Sequence, residues 1–303
     1  MKLTSEIQFG LLVSILLSNS CDGTEEWSYT GSHGPSTWSR NFSKCGGKQQ
    51  SPINIETKET LFKQFVPLTL NYDKSIAMKM ENNGHTVQLS VVDSRDNLTI
   101  SGGSLPSSSA FRVAQLQFHW GGNNSLGSEH KFDGKSFPLE MHVVHYNRKY
   151  ANYSEALSKR DGLVVISVLF KLEKKDNADL NVVTQMLKNV SYEGSSMDIN
   201  SISLKSLLPV KISSFYCYHG SLTTPRCQEN VEWIVFKNPA TISGKQLEYF
   251  RQIFQVNASA GVQQTKKPLL VNNFRPTQPL NQRSVWRNFG KNDFNFFIYR
   301  NTL

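Results

Sequence analysis

Five segments of the chain carry the alternating or β-branched hydrophobic pattern that is typical of β-strands. They cover residues 85–92, 111–119, 139–146, 163–169 and 231–236. Turn sequences such as Asn82-Asn83-Gly84, Gly121-Gly122-Asn123 and Asp133-Gly134 separate them. The pattern predicts a chain in which β-structure dominates.

Helical patterns are few and short. They cover residues 153–160 with Ser154 as a candidate N-cap, residues 180–188, and residues 243–254 with Ser243 as the capping residue. Neither an internal repeat nor a Pro/Gly/Ser-rich linker divides the sequence. We therefore predict an α+β, sheet-dominated single domain, built around a large, mostly antiparallel twisted sheet with short peripheral helices.

The N-terminus has the layout of a secretory signal peptide. Lys2 precedes an apolar run at residues 9–17, and the small-residue stretch Ser18-Asn19-Ser20 follows that run. The run is too short for a transmembrane helix, and no later stretch approaches the ~20 apolar residues that a membrane span needs. We predict a signal peptide at 1–20, a mature domain at 21–303, and secretion to the extracellular space without a transmembrane segment.

Surface chemistry agrees with an extracellular protein. The net charge is +9, but basic residues cluster only in pairs such as Lys174-Lys175, so no nucleic-acid partner is predicted. Six Asn-X-Ser/Thr sequons predict a glycoprotein if they are exposed. They begin at Asn41, Asn97, Asn123, Asn152, Asn189 and Asn257.

Four cysteines in an oxidising compartment favour disulfide formation, although spacing alone does not give the pairing. Cys45 and Cys227 are the best pair, because both lie beside loop-forming residues. Closing so long a loop contributes about 4 to 5 kcal/mol in the chain-entropy model. Cys21 lies at the predicted cleavage point, and Cys217 is either paired or free.

Two of the predicted strands carry polar rows. Gln115, Gln117 and His119 share one face of the first, and Glu140 and His142 share one face of the second. If the strands pair, two imidazoles and several acceptors converge on a candidate metal site. A single histidine of this kind is more often a hydrogen-bonded core residue, so the case depends on the combination.

Residues 27–289 also contain, in order, a series of short motifs. They are Gln49-Gln50-Ser51-Pro52-Ile53, Asn82-Asn83-Gly84-His85, Phe118-His119-Trp120-Gly121, Gly127-Ser128-Glu129-His130, Glu140-Met141-His142-Val143-Val144-His145, Gly220-Ser221-Leu222-Thr223-Thr224-Pro225 and Gln278-Pro279-Leu280-Asn281. Through them the chain resembles the alpha-class carbonic anhydrases over nearly its whole mature length.

The resemblance implies a Zn²⁺ site with three protein ligands. His119 and His142 match two of the family's three ligand histidines, and Gln117 stands at the position of the third. A glutamine carbonyl oxygen is neutral like imidazole, so the electrostatic reason for an acidic zinc-bound water would survive. An amide oxygen is a poorer ligand for this ion, so weakened zinc binding is expected.

The remaining roles follow from the same resemblance. Gln115 and Glu140 match the acceptors that orient the ligands. Glu129 and Thr223 match the pair that aims the attacking oxygen at carbon dioxide, and His85 matches the residue that exports the proton. The apolar pocket for the substrate corresponds to Val144, Val165, Leu222 and Trp233.

Two functions from different classes follow. The first is a secreted zinc lyase, a carbonate dehydratase that interconverts carbon dioxide and bicarbonate; it is favoured because His85, Glu129 and Thr223 are retained. The second is an inactive carbonic-anhydrase-related protein that binds an extracellular or matrix partner, and Gln117 motivates it. A β-rich lectin or structural domain is remote, because it does not explain the ordered motifs.

Overall fold

The computed structural model of the 303-residue protein describes residues 26–93, 98–259 and 268–290. The predicted signal peptide, Cys21 and the Asn97 sequon lie outside the described residues. Its strands are β1 (Asn54–Ile55), β2 (Leu61–Phe62), β3 (Val66–Asn71), β4 (Ile76–Asn82), β5 (Val87–Val91), β6 (Thr99–Gly103), β7 (Phe111–Trp120), β8 (Lys131–Phe132), β9 (Leu139–Asn147), β10 (Leu163–Glu173), β11 (Ser196–Ile202), β12 (Phe215–Gly220), β13 (Val231–Phe236), β14 (Ala240–Ser243) and β15 (Trp286–Arg287). Its α-helices are α1 (Trp38–Asn41), α2 (Tyr153–Ala156), α3 (Asn181–Thr184) and α4 (Gly244–Arg251). Its short 3-10 helices are Gly31–His33, Ser43–Gly46, Thr57–Glu59, Ala178–Leu180, Leu187–Val190 and Lys205–Leu207.

A 13-stranded mixed sheet organises the molecule. Its main path runs β11-β4-β5-β7-β9-β10-β13-β12-β15-β2, while β14 joins β10 and β6 joins both β3 and β7. Most pairings are antiparallel, but β10 pairs in parallel with β13 and β14, and β15 pairs in parallel with β2. The predicted sheet-dominated fold class is confirmed, with these parallel pairings as the departure from a uniform antiparallel sheet.

The five predicted strands correspond to β5, β7, β9, β10 and β13. Successive side chains alternate between the two sheet faces, and both faces are covered. Leu116, Val143 and Ile166 belong to the larger hydrophobic core. Val144 and Val165 belong to a second core cluster on the other face. The central strands are therefore apolar almost throughout, and buried polar residues stand out against them.

The helices are shorter than the sequence predicts. Helix α2 starts after Asn152, whose side chain accepts the backbone N–H of Glu155 at 2.9 Å, so the prediction of Ser154 as the cap is wrong. In the predicted 180–188 helix, α3 is flanked by 3-10 segments. Helix α4 does start after Ser243, which forms a capping box with Gln246.

Cys45 and Cys227 form a disulfide that joins segments 182 residues apart in sequence. It connects the 3-10 helix at Ser43–Gly46 to the loop that follows β12. Cys217 is a free, buried thiol in β12, and burial raises its pKa to about 12. The predicted Cys45–Cys227 pairing is present, and Cys217 is free.

The described sequons lie on the surface. Asn41, Asn123, Asn152, Asn189 and Asn257 are all exposed. Within the described ranges, every helix is too short or too polar to cross a membrane.

Candidate metal centre

The polar rows of β7 and β9 meet because these strands are antiparallel neighbours. The register places Gln117 directly opposite His142, and His119 directly opposite Glu140. Residues that face each other in such a ladder project to the same side of the sheet. The two strands therefore bring both histidines to one buried patch, as the alternation predicts.

Each of the two imidazoles has one nitrogen held by an acceptor. His119 Nδ1 lies 2.8 Å from the backbone oxygen of Asn273, and His142 Nε2 lies 2.7 Å from Glu140 Oε1. A carbonyl or carboxylate oxygen only accepts, so these two ring nitrogens carry the protons. In the neutral rings, the lone pairs then lie on His119 Nε2 and His142 Nδ1.

Those two nitrogens are 3.1 Å apart. Two lone pairs at this distance repel each other unless a cation lies beside both. The pKa of His119 is lowered to about 3, chiefly by burial and then by the charge of His142. His119 therefore does not take up the additional proton that would relieve this repulsion. The donor set is suited to a metal ion.

Gln117 is half-buried beside this pair. Its Nε2 donates to Gln88 Oε1 on β5 at 3.3 Å, and the register places Gln88 directly opposite Gln117. Gln115 lies two residues earlier on β7, opposite Val144 and Ser90. The predicted row of Gln115, Gln117 and His119 is therefore continuous along one face.

Glu140 is a fully buried carboxylate with five donors. Oε1 accepts from His142, from His130 Nδ1 at 2.7 Å and from the Ser167 hydroxyl at 2.7 Å. Oε2 accepts the backbone N–H groups of Glu129 and His130, both at 2.8 Å. Burial acts to raise the pKa of Glu140, but the charges and hydrogen bonds of His130 and His142 outweigh it and hold the pKa well below its usual value. The residue is a carboxylate that fixes the His142 ring.

Glu129 lies against the same pair of rings. Its carboxylate is 3.6 Å from His119 Nδ1 and 3.9 Å from His142 Nδ1, and Oε1 accepts the backbone N–H of Arg275 at 2.8 Å. Burial raises its pKa to about 7; the charge of His142, the Arg275 N–H and the Thr223 hydroxyl act in the opposite direction. His119, Glu129 and His142 can each offer a ligand atom within 4.8 Å of the others.

An apolar surface adjoins the rings. The register places Val165 opposite Val144 on β9 and beside Trp233 on β13. All three are buried, and Leu222 packs against the core cluster that contains them. The Trp233 and His142 ring centroids are 4.8 Å apart. These side chains make the surroundings of the His142 ring apolar on this side.

His85 lies after the turn between β4 and β5 and is half-buried. Its ring stacks on Trp27 with centroids 3.8 Å apart. Burial lowers its pKa, and the charge of Glu26 opposes that shift. The ring retains partial access to solvent.

Three residues that hydrogen-bond to His119 or Glu140 were not predicted from the sequence. They are His130, Ser167 and Asn273. His130 could have been suspected, because it follows Glu129 inside one of the motifs. Ser167 lies in an apolar strand, and Asn273 is 154 residues from His119 in a segment without a regular pattern, so neither carries a local signal.

Comparison with known proteins agrees with this geometry. Residues 33–289 match the family described as eukaryotic-type carbonic anhydrase. The chain is 38% identical to carbonic anhydrase 7 of Homo sapiens over 270 residues, which cover 88% of this chain and 98% of that protein. It is 37% identical to carbonic anhydrase 6 of Mus musculus over 272 residues, covering 87% and 81%. The chain belongs to the eukaryotic-type carbonic anhydrase family.

Proposed function

We propose that the protein is a zinc lyase that reversibly hydrates carbon dioxide to bicarbonate and a proton, with weakened zinc binding. The proposed ligands are His119, His142 and Gln117. The observation that carries the proposal is the pair of facing ring nitrogens, His119 Nε2 and His142 Nδ1, whose rings are each held by an acceptor at the other nitrogen. Two nitrogens bound to zinc at about 2.0–2.1 Å in a tetrahedral site lie about 3.3–3.4 Å apart, close to the 3.1 Å found here.

Zinc, when bound by three neutral ligands, supplies the positive charge that makes a water molecule acidic near neutral pH. The chain supplies orientation. Glu140 and Asn273 hold the ligand rings, so binding requires no change of tautomer. Gln115 is proposed as a further orienting residue at the start of the polar row.

Glu129 and Thr223 are proposed to align the reactants. Glu129 accepts a hydrogen bond from the Thr223 hydroxyl group. The threonine oxygen is then left as a hydrogen-bond acceptor for the attacking water. The lone pair of that water is then directed at the substrate carbon. Carbon dioxide is proposed to lie beside this water, against the apolar side chains of Val144, Val165, Leu222 and Trp233. A linear uncharged molecule needs no polar partners there.

His85 is proposed to carry the released proton to buffer. Its partial exposure and its stacking on Trp27 support this role, because a carrier needs a stable resting position with access to solvent. Imidazole is suited to the task, since it gains and loses a proton near neutral pH.

We also propose that the mature chain, residues 21–303, is a secreted, disulfide-bonded glycoprotein. The Cys45–Cys227 disulfide and the exposed sequons support this. Expression with the native N-terminus tests it. A secreted product that begins at Cys21 and loses mass on enzymatic deglycosylation is expected, whereas a retained chain that begins at Met1 would contradict it.

The test of the enzymatic function is the zinc-to-protein ratio before and after incubation with zinc, with carbon dioxide hydration assayed on the same samples. We expect partial zinc as purified, and about one zinc per chain with hydration activity at saturation. His142→Ala is the control that should abolish both. A zinc-loaded protein without hydration activity would refute the enzymatic proposal.

The competing function is an inactive carbonic-anhydrase-related protein that binds an extracellular matrix partner. The observation that favours it is Gln117, which has an amide at the position where the family has an imidazole. This amide donates a hydrogen bond to Gln88. Failure to bind zinc at saturation, together with retained folding, would decide for this alternative.

A further inference from the structure

The amide of Gln117 is the first member of a short chain of hydrogen bonds between two strands. Gln117 Nε2 donates to Gln88 Oε1 at 3.3 Å, and Gln88 Nε2 donates to Ser90 Oγ at 2.9 Å. Gln88 and Ser90 are alternate residues of β5, so they lie on one face of the sheet, and the register places them opposite Gln117 and Gln115. The three side chains form a directed relay, Gln117 to Gln88 to Ser90.

The direction of the relay matters because an amide has two unlike ends. Its NH2 group is a donor without a lone pair for a metal, while its carbonyl oxygen can bind one. In the structure the NH2 end of Gln88 donates to Ser90, and the Gln88 oxygen faces Gln117. A carbonyl oxygen can only accept hydrogen bonds, so the Gln88 oxygen favours the NH2 end of Gln117 as its partner. The Gln117 oxygen is the end left unused by the relay.

We propose that Gln88 is a positioning residue, which turns the carbonyl oxygen of Gln117 toward the metal held by His119 and His142. The inference rests on the proposed function, because it takes Gln117 as the third ligand. It explains how a side chain with more free torsions than histidine can serve there. Its orientation comes from β5, the neighbour of β7 on the side away from β9.

The test is the affinity of the purified protein for zinc, measured by competition with a chromophoric chelator. Gln88→Met keeps the length of the side chain but removes the acceptor. Loss of an orienting partner typically weakens metal binding about 10- to 100-fold, and we expect a loss in this range. Gln88→Glu keeps an acceptor for the Gln117 amide and should retain at least the parent affinity.

A second background separates orientation from general damage to the sheet. In Gln117→His, the third ligand is an imidazole, so Gln88→Met should change zinc affinity less than 3-fold. The visible absorption of the Co²⁺-substituted proteins gives an independent signature. Gln88→Met should alter the spectrum of the parent protein and leave that of the Gln117→His protein unchanged.

The outcomes are distinguishable. Equal zinc affinity of the parent and Gln88→Met, with unchanged Co²⁺ spectra, would overturn the positioning role while leaving the enzymatic function intact. An equal loss in both backgrounds would also overturn it, because the effect would then be structural. A parent protein that binds no zinc would refute the proposed function and this inference together.

Discussion

Asn273 links His119 to His85 through opposite ends of one residue. Its backbone oxygen accepts from His119 Nδ1 at 2.8 Å, while its side-chain Nδ2 donates to the backbone oxygen of His85 at 3.1 Å. The proposed metal ligand and the proposed proton carrier are therefore fixed to the same buried residue. One residue of segment 268–290 therefore contacts both the strand that carries His119 and the turn that carries His85.

We predict that Asn273→Ala destabilises the protein and lowers hydration activity. The side chain accepts the Trp120 backbone N–H at 2.7 Å and also donates to the oxygen of Phe118 at 3.0 Å. Leaving a buried donor unpaired costs about 1–3 kcal/mol. Urea unfolding measures the loss, with Asn200→Ala at an exposed position of β11 as a control that should change stability by less than about 0.5 kcal/mol. Equal stabilities for the two variants would contradict the prediction.

Gln117→His should tighten zinc binding at least about 10-fold, because imidazole is the better ligand for this ion. The measurement is a competition titration, with hydration assayed at zinc concentrations below and above saturation. At limiting zinc, the variant should be more active than the parent. Gln117→Leu provides the matched loss of the ligand and should bind zinc more weakly than either. An order other than His, Gln and then Leu would exclude Gln117 as a ligand.

We predict that His145 makes the protein sensitive to acid. It is fully buried, its pKa is lowered to about 3 chiefly by burial, and its ring is hydrogen-bonded to the Tyr72 hydroxyl and the Val164 carbonyl. Its folded pKa is below the unfolded value, so the unfolded chain takes up the proton first. Stability is then lost as the pH falls below about 6.5, by up to about 1.4 kcal/mol per pH unit.

His145→Gln removes this titration and keeps an acceptor for Tyr72. The free energy of unfolding of the parent protein should therefore fall more steeply than that of the variant between about pH 6 and pH 4. Above pH 7 the two curves should be parallel. Parallel curves over the whole range would show that His145 does not titrate on unfolding.

Removing the disulfide with Cys45→Ser and Cys227→Ser should lower the free energy of unfolding by about 2–5 kcal/mol, because the bond closes a very long loop. Chemical denaturation measures the change. Cys217→Ala is the comparison, since it alters a buried thiol without opening a loop.

Cys217 itself should react with a thiol reagent only after unfolding. Rapid labelling of the native protein would contradict its burial.

The sequence predicts the central strands well, because period-two alternation is a local signal that the sheet preserves. It also predicts that His119 and His142 meet if their two strands pair, and the structure contains this pairing of β7 with β9. Helix boundaries are predicted less well. Asn152 and Ser154 are both good caps, and only the packed structure selects between them.

Other parts of the site depend on distant contacts. Asn273 reaches His119 from a segment without regular structure, and Ser167 is a small polar residue inside an apolar strand. The Gln117 relay depends on the register of β5 against β7, which alternation alone does not fix. Such contacts are set by tertiary packing, so no window of local sequence contains them.

The hydrogen bonds of Glu140 orient the site without a bound metal. All five of its donors come from the protein itself, so the orientation of His142 is fixed by the folded chain and needs no ion. The proposed metal would then bind to a ring that is already oriented, without rearrangement of the sheet. The native fold therefore does not require the proposed zinc, although zinc binding would add to its stability. A protein treated with a chelator should keep its native secondary structure.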